Sequence, residues 1–269
     1  MKKPLFNKIC IVGVGLIGGS LGLVIKKHRL AKLAVGVVRR KRSAIEAVQT
    51  KAVDMATLKV RDGVRDADLV ILCAPVSTIV NQLKQISPFL KKNAIVMDVG
   101  SSKVEINRAA RRFLKKNEFV GCHPMAGSKK CGIEFADGRL FEKSICFMTR
   151  RNQKIARFWK ALGAEPMYIK EGAHDAWVAK SSHLPHVLSF SLFQNMDSKY
   201  SHNPSLKDLA RLAASNPDLW TDIFLSNQKQ VLRAIGEFQK SLSDFQKALR
   251  AKNKTSLTRF ILHANKQAS

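Results

Sequence analysis

Three stretches of the chain carry residues whose types and spacing could do chemistry. "GVGLIG" places Gly13, Gly15 and Gly18 in a GxGxxG pattern. "GCHPMAGSKKCG" (121–132) sets His123 among glycines, a proline and two thiols, and "SSHLPH" (181–186) holds His183 and His186 three apart. Glycines in the first pattern suit a turn that lets backbone N–H groups approach a pyrophosphate. A histidine suits a general base, because its pKa near neutrality lets it take a hydroxyl proton as hydride leaves a carbon. A metal reading would combine Cys122, His123, Cys131, His183 and His186. The chain has neither HExxH nor paired CxxC, and the spacing matches no structural zinc pattern, so no metal is expected.

The elements that must position these residues alternate over the first half. Strand-like runs occur at 8–12, 33–38, 67–75, 93–100 and 118–123, with helical patterns between them. Further strands are expected at 144–150 and 165–170, separated by a helix. Apolar strands with intervening helices read as a mostly parallel sheet covered on both faces. From 173 onward β-branched runs vanish, and helices are expected over 173–197, 204–214, 217–250 and 254–267. A helix as long as 217–250 exceeds what a small monomer needs, so dimerisation through it is expected. The expected fold is an α/β Rossmann-type N-terminal domain (1–170) followed by an all-α substrate-binding and dimerisation domain (171–269).

The glycine pattern follows the first strand and opens the first helix, the context a dinucleotide site requires. Gly13, Gly15, Leu16, Ile17 and Gly18 are its candidate phosphate-facing residues. Ala74, Pro75 and Ser101 end the third and fourth predicted strands at the same crevice. The second strand ends "VVRRKRS" with no carboxylate, so Arg39, Arg40 and Ser43 could pair with a 2′-phosphate. The cofactor expected is NADP, with NAD as the alternative. Asp98 reads equally as a structural cap. Ser101 could hydrogen-bond a nicotinamide amide, a substrate hydroxyl or the base, or belong only to the loop.

Composition bounds these readings. The formal charge of +27 comes from 47 Lys and Arg against 20 Asp and Glu in 269 residues. The basic residues are spread along the chain and interrupted by glycines and acids, without an aromatic-rich basic motif or a helix-turn-helix signature. That favours a basic surface that attracts small anions over a nucleic-acid partner. Five cysteines without CxxC suggest reduced thiols in a cytoplasmic protein. No stretch has enough apolar residues to span a bilayer, so no membrane partner is expected.

Longer matches make the chain resemble the prephenate and arogenate dehydrogenases of tyrosine biosynthesis. They are "GVGLIGGSL" (13–21), "DLVILCAPV" (68–76), "DVGSSK" (98–103), "GCHPMAG" (121–127), "LFEKSICFMT" (140–149), "HDAWVAKSSHLPH" (174–186) and "ARLAASNPDLWTDIFLSN" (210–227). The resemblance implies oxidative decarboxylation of a small cyclohexadienyl substrate by a homodimeric enzyme. It implies His123 as the catalytic histidine, Ser101 and Ser182 as residues orienting it, and His186, Arg211 and Ser128 at the anionic-substrate site. His174 and His183 read as structural, fixing a helix against the sheet domain, and Trp220 as a pocket cover or core filler. Retention of His186, and no compensating acid identified nearby, favour prephenate over arogenate; the basic strand end pulls the other way. Lys129, followed by Lys130, stands where the family commonly has an acid, and Ala210 where it often has Thr. Dehydrogenases of the 6-phosphogluconate or hydroxyisobutyrate type share the glycine motif, but "HPMAG" argues against them.

Overall fold

The computed structural model describes residues 3–127, 130–197 and 203–268. The first half is built from β1 (Phe6–Val12), α1 (Leu16–Lys27), β2 (Ala31–Val37), α2 (Lys41–Gln49), β3 (Met55–Thr57), α3 (Val60–Val64), β4 (Leu69–Leu72), α4 (Val76–Ile86), β5 (Ile95–Asp98), α5 (Val104–Phe113), β6 (Glu118–Pro124), β7 (Ile145–Met148), α6 (Gln153–Ala161) and β8 (Glu165–Tyr168). The eight strands form one sheet in the order β3-β2-β1-β4-β5-β6-β7-β8. All neighbours are parallel except β6 and β7, which are antiparallel.

Alternation along β1 feeds both faces of this sheet. Ile9 and Ile11 join one buried cluster with Leu21 and Trp159, whereas Cys10 and Val12 join the other with Leu72 and Ile79. Helices therefore cover both sides, which is why the central strands read as continuous apolar runs. The strand order reverses between β1 and β4, so the loops after those strands diverge and leave a crevice at their carboxyl ends.

The second half contains α7 (Glu171–Val178), α8 (Leu184–Gln194), α9 (Lys207–Ala213), α10 (Pro217–Ser226), α11 (Gln228–Arg250) and α12 (Lys254–Ala268). Carboxylates dock it onto the sheet domain at the N-termini of two of its helices. Asp175 on α7 accepts from the N–H groups of Lys103 (2.7 Å) and Val104 (2.9 Å) at the start of α5. Asp222 on α10 accepts from Val76 N–H (2.7 Å) and Ser77 N–H (3.2 Å) at the start of α4.

Three expectations need correction. The helix expected over 217–250 is two helices, broken at Asn227, whose backbone leaves helical geometry at φ −119° and ψ 25°. Its buried amide donates to the carbonyl of Asp175 (2.8 Å), a tertiary bond that the uninterrupted apolar period cannot reveal. The helix expected over 173–197 contains a π-helical turn at Ala179–His183, and its α-helical part ends at Gln194. Pro185 lies in the first turn of α8, where its missing N–H is tolerated. Finally, β3 and α3 were not expected; at three and five residues they are too short to show a period.

Candidate active site

The carboxyl ends of β1, β4, β5 and β6 lie along one edge of the sheet, and each delivers part of the site. After β1, Gly13 adopts φ +97°, and a Cβ there would lie 2.3 Å from the carbonyl oxygen of Cys73 beyond β4. The two loops flanking the crevice therefore touch, and only glycine permits it. A Cβ on Gly18 would lie 2.0 Å from the Gly13 carbonyl oxygen, so this glycine allows helix α1 to close on the turn. Gly15 differs, since a Cβ there would meet nothing within 4 Å. Its space is open, and it caps a helix with no acidic residue in its first turn. An open glycine before the N–H groups of Leu16, Ile17 and Gly18 fits a pyrophosphate.

Gly13 N–H donates to the carbonyl of Val37 (2.9 Å), drawing the end of β2 alongside the glycine turn. Arg39 and Arg40 follow with exposed side chains, and Ser43 is partly buried in the first turn of α2. Arg42 is engaged by Glu46 at 2.7 Å. Ala74 and Pro75 lie between β4 and α4, with Pro75 capping that helix.

Beyond β5, Asp98 and Lys103 form an ion pair with neither side chain exposed. Asp98 also accepts from Gly100 N–H (2.8 Å) and Cys122 N–H (3.2 Å), and Lys103 Nζ donates to the Cys122 carbonyl (2.6 Å). Both backbone groups of Cys122 are thereby held, which fixes the strand one residue before His123. Asp98 is thus a structural cap. Cys122 is also no bystander to packing, since its Sγ accepts from Trp159 Nε1 at 3.4 Å. Ser101 is partly buried between Gly100 and Ser102.

His123 Nδ1 lies 2.9 Å from His174 Nε2, and His174 Nδ1 lies 2.8 Å from Asp175 Oδ1. Burial, reinforced by His174, Lys103 and His183, holds the His123 pKa well below the ordinary histidine value. Its imidazole is therefore neutral at neutral pH. Burial likewise lowers His174, with Asp175 opposing. His183 is 2% exposed, accepts from Asn227 Nδ2 at 3.2 Å, and is pushed down to about 4 by burial.

On the helical side, the π-helical turn carries Ser182, whose carbonyl accepts from His186 Nδ1 at 2.9 Å. His186 stacks on Trp220 with ring centroids 3.4 Å apart and planes at 23°. Burial lowers the His186 pKa, and the Arg211 charge adds to that effect. Arg211, on α9, is more than half exposed and pairs loosely with Asp208 at 3.5 Å. Asp208, three residues before Arg211 on the same helix, has a side chain that is 90% exposed. Ser128 and Lys129 lie outside the described residues, and Lys130 Nζ sits 4.8 Å from the Phe135 ring centroid. Among the described residues no group of three His, Cys, Asp or Glu is placed to hold a metal ion.

Thus His123 and His174, 51 residues apart, meet in one site, and His186, Trp220 and Arg211 gather beside Ser182. Sequence reasoning singled out neither Asp175 nor Asn227. The His174-Asp175 dipeptide was a signal, but its value depends on where the helix docks.

A dinucleotide-type sheet domain closed by a helical domain over its carboxyl edge defines a two-domain NAD(P)-dependent dehydrogenase. Comparison with known proteins narrows the class. The family model for the prephenate dehydrogenase nucleotide-binding domain matches residues 21–167, and that for the dimerization domain matches residues 170–263. The chain belongs to the prephenate dehydrogenase family. It is 32% identical to a prephenate dehydrogenase of Lactococcus lactis subsp. cremoris over 97% of this chain and 76% of that protein. It is 30% identical to a cyclohexadienyl dehydrogenase of Zymomonas mobilis over 91% of this chain and 89% of that protein. Its fold is similar to Aquifex aeolicus prephenate dehydrogenase in complex with hydroxyphenyl propionate and NAD+ (TM-score 0.88, 28% identity, 97% of each chain). It is also similar to Synechocystis arogenate dehydrogenase (TM-score 0.83, 28% identity, 97% of this chain and 98% of that one).

Proposed function

We propose that the protein converts prephenate to 4-hydroxyphenylpyruvate by oxidative decarboxylation, with NADP as the preferred hydride acceptor and NAD as the alternative. The observation that carries this reading is His123 at the carboxyl end of β6, its Nδ1 2.9 Å from His174 Nε2 on the helical side, where His186 stacks on Trp220. The chemistry the dinucleotide supplies when bound is hydride acceptance at its nicotinamide ring.

His123 takes the hydroxyl proton of the substrate as hydride leaves the ring carbon bearing it. The bond from the ring to its carboxylate then breaks, CO2 departs, and the electron pair aromatises the ring. The resulting phenolate oxygen recovers the proton from His123, so the base is regenerated. Ser101 and Ser182 orient this exchange, while His186, Arg211 and Ser128 receive the anionic side chain.

Gly13, Gly15, Leu16, Ile17, Gly18, Ala74, Pro75 and Ser101 hold the dinucleotide in this reading. Exposed Arg39 and Arg40, with Ser43 beside them, support NADP by offering charge to a 2′-phosphate. Residues 1–170 serve the cofactor, and residues 171–269 serve the substrate and a homodimer. The dimer is supported by exposed apolar side chains on α11 and α12, among them Leu232, Leu242, Leu249, Ile261 and Leu262. Among the described residues no helix is long and apolar enough to cross a membrane, and all five cysteines are free. These features accord with a cytoplasmic setting.

Arogenate is the second reading, favoured by Asp208 beside Arg211, since an acid there could receive an ammonium group. Purified protein assayed with prephenate and arogenate, each with NAD and NADP, decides among them by absorbance of the reduced cofactor. Inertness of all four combinations in folded, cofactor-saturated protein would sink the proposal, and a clear preference for NAD would remove the role given to Arg39 and Arg40.

A further inference from the structure

We propose that His174 and Asp175 are positioning residues that hold His123 in the tautomer protonated on Nδ1, so that its bare Nε2 meets the substrate. The proposal rests on the reading of His123 as the base.

The hydrogen bonds form a chain that starts at the Asp175 carboxylate. Asp175 Oδ1 accepts from Lys103 N–H and Oδ2 from Val104 N–H, both at the N-terminus of α5. Such a carboxylate is an acceptor only, so the hydrogen in its 2.8 Å contact with His174 must sit on His174 Nδ1. Burial keeps His174 neutral, with one ring proton. Its Nε2 is then a lone pair, and the 2.9 Å contact with His123 Nδ1 requires His123 to be the donor there. His123 is neutral too, so its proton is on Nδ1 and its Nε2 is bare.

This tautomer is the less common one for a neutral imidazole in water, so a partner must enforce it. The charged and titratable groups around the pair are consistent with that assignment. Lys103 and His183 disfavour a charged His123, whereas Asp98 and Asp175 act on His174. The arrangement spans the domains, because His123 lies on β6 while His174 and Asp175 lie on α7. Asn227 Nδ2 holds the Asp175 backbone from the other side through its carbonyl (2.8 Å). When His123 accepts a proton, its Nδ1–H remains bonded to His174, and the Asp175 charge stabilises the imidazolium through that ring.

The test reads the proton directly. Long-range proton–nitrogen correlation spectra of protein labelled with 15N-histidine are recorded at pH 8 without ligands, with His123 assigned by its absence in His123→Asn. His123 protonated on Nδ1 is the expected result; protonation on Nε2 overturns the proposal. His174→Phe is expected to shift His123 toward the Nε2–H form and to lower kcat roughly 10²-fold or more, with dinucleotide affinity unchanged. His174→Gln, whose amide oxygen can accept from Nδ1–H, should recover part of both. An unchanged tautomer in folded His174→Phe protein overturns the role of His174; if that variant does not fold, the wild-type and His174→Gln spectra decide. If His123 carries its proton on Nδ1 but neither substrate turns over, the proposed function falls and the tautomer assignment stands. Turnover with the proton on Nε2 gives the reverse.

Discussion

Lys103 and Asp98 pair with neither side chain exposed, and the same Lys103 ammonium donates to the Cys122 carbonyl at 2.6 Å. This bond reaches from the loop after β5 to the strand that carries His123. Burial pushes the Asp98 carboxyl up, and the lysine opposes that push. Removing one partner should therefore be worse than removing both. Lys103→Met is expected to cost about 3–5 kcal/mol, because it leaves a buried acid uncompensated. Asp98→Asn/Lys103→Met should be more stable than Lys103→Met alone. Urea midpoints of the two variants measure this, and equal midpoints would contradict it.

His123→Asn is expected to lower kcat by roughly 10²–10⁴-fold, the range for loss of a general base. Dinucleotide affinity, followed by cofactor fluorescence, should stay the same. Retained kcat would remove His123 as the base.

Two glycines of one motif should respond differently to the same change. Gly15→Ala enters open space and should leave stability within about 0.5 kcal/mol of wild type. It should still weaken dinucleotide binding roughly tenfold or more, about 1.4 kcal/mol. Gly18→Ala drives a methyl group against the Gly13 carbonyl and should destabilise the fold by about 1–3 kcal/mol. Thermal melts with and without cofactor separate the two effects, and a destabilised Gly15→Ala apoprotein would show the open space to be misjudged.

His183 should make the protein acid-sensitive. Its folded pKa of about 4 lies below the unfolded histidine value of about 6.5, so in that window the unfolded chain binds the proton. The stability it contributes is complete above about pH 6.5 and is lost as pH falls toward 4. From pH 7 to pH 5 this one residue should remove about 2 kcal/mol. His123, His174 and His186 are lowered as well and act in the same direction. Denaturant unfolding at the two pH values tests this, with His183→Asn expected to show the shallower dependence; an identical slope would refute it.

Much of the fold was legible because the relevant signals are local. Strands such as Leu69–Leu72 are buried on both faces and therefore read as unbroken apolar runs. The glycine turn is legible for a similar reason, since a positive φ at Gly13 is a constraint on one residue. Asn227 shows the limit. Nothing in the apolar period breaks there, and the helix ends because a buried amide is bonded to Asp175 and His183, more than forty residues away.

The site divides along the same line. Residue types and their order along the chain determined the α/β and helical halves, the glycine turn, the family resemblance and His123 as the residue to watch, because each is a pattern of neighbours. Only the tertiary structure decided that His174 touches His123, that Asp175 ties both to α5, and that Asn227 bonds Asp175 and His183. A ring proton's position depends on which acceptor lies within 3 Å across two domains, and spacing along the chain carries no record of that distance.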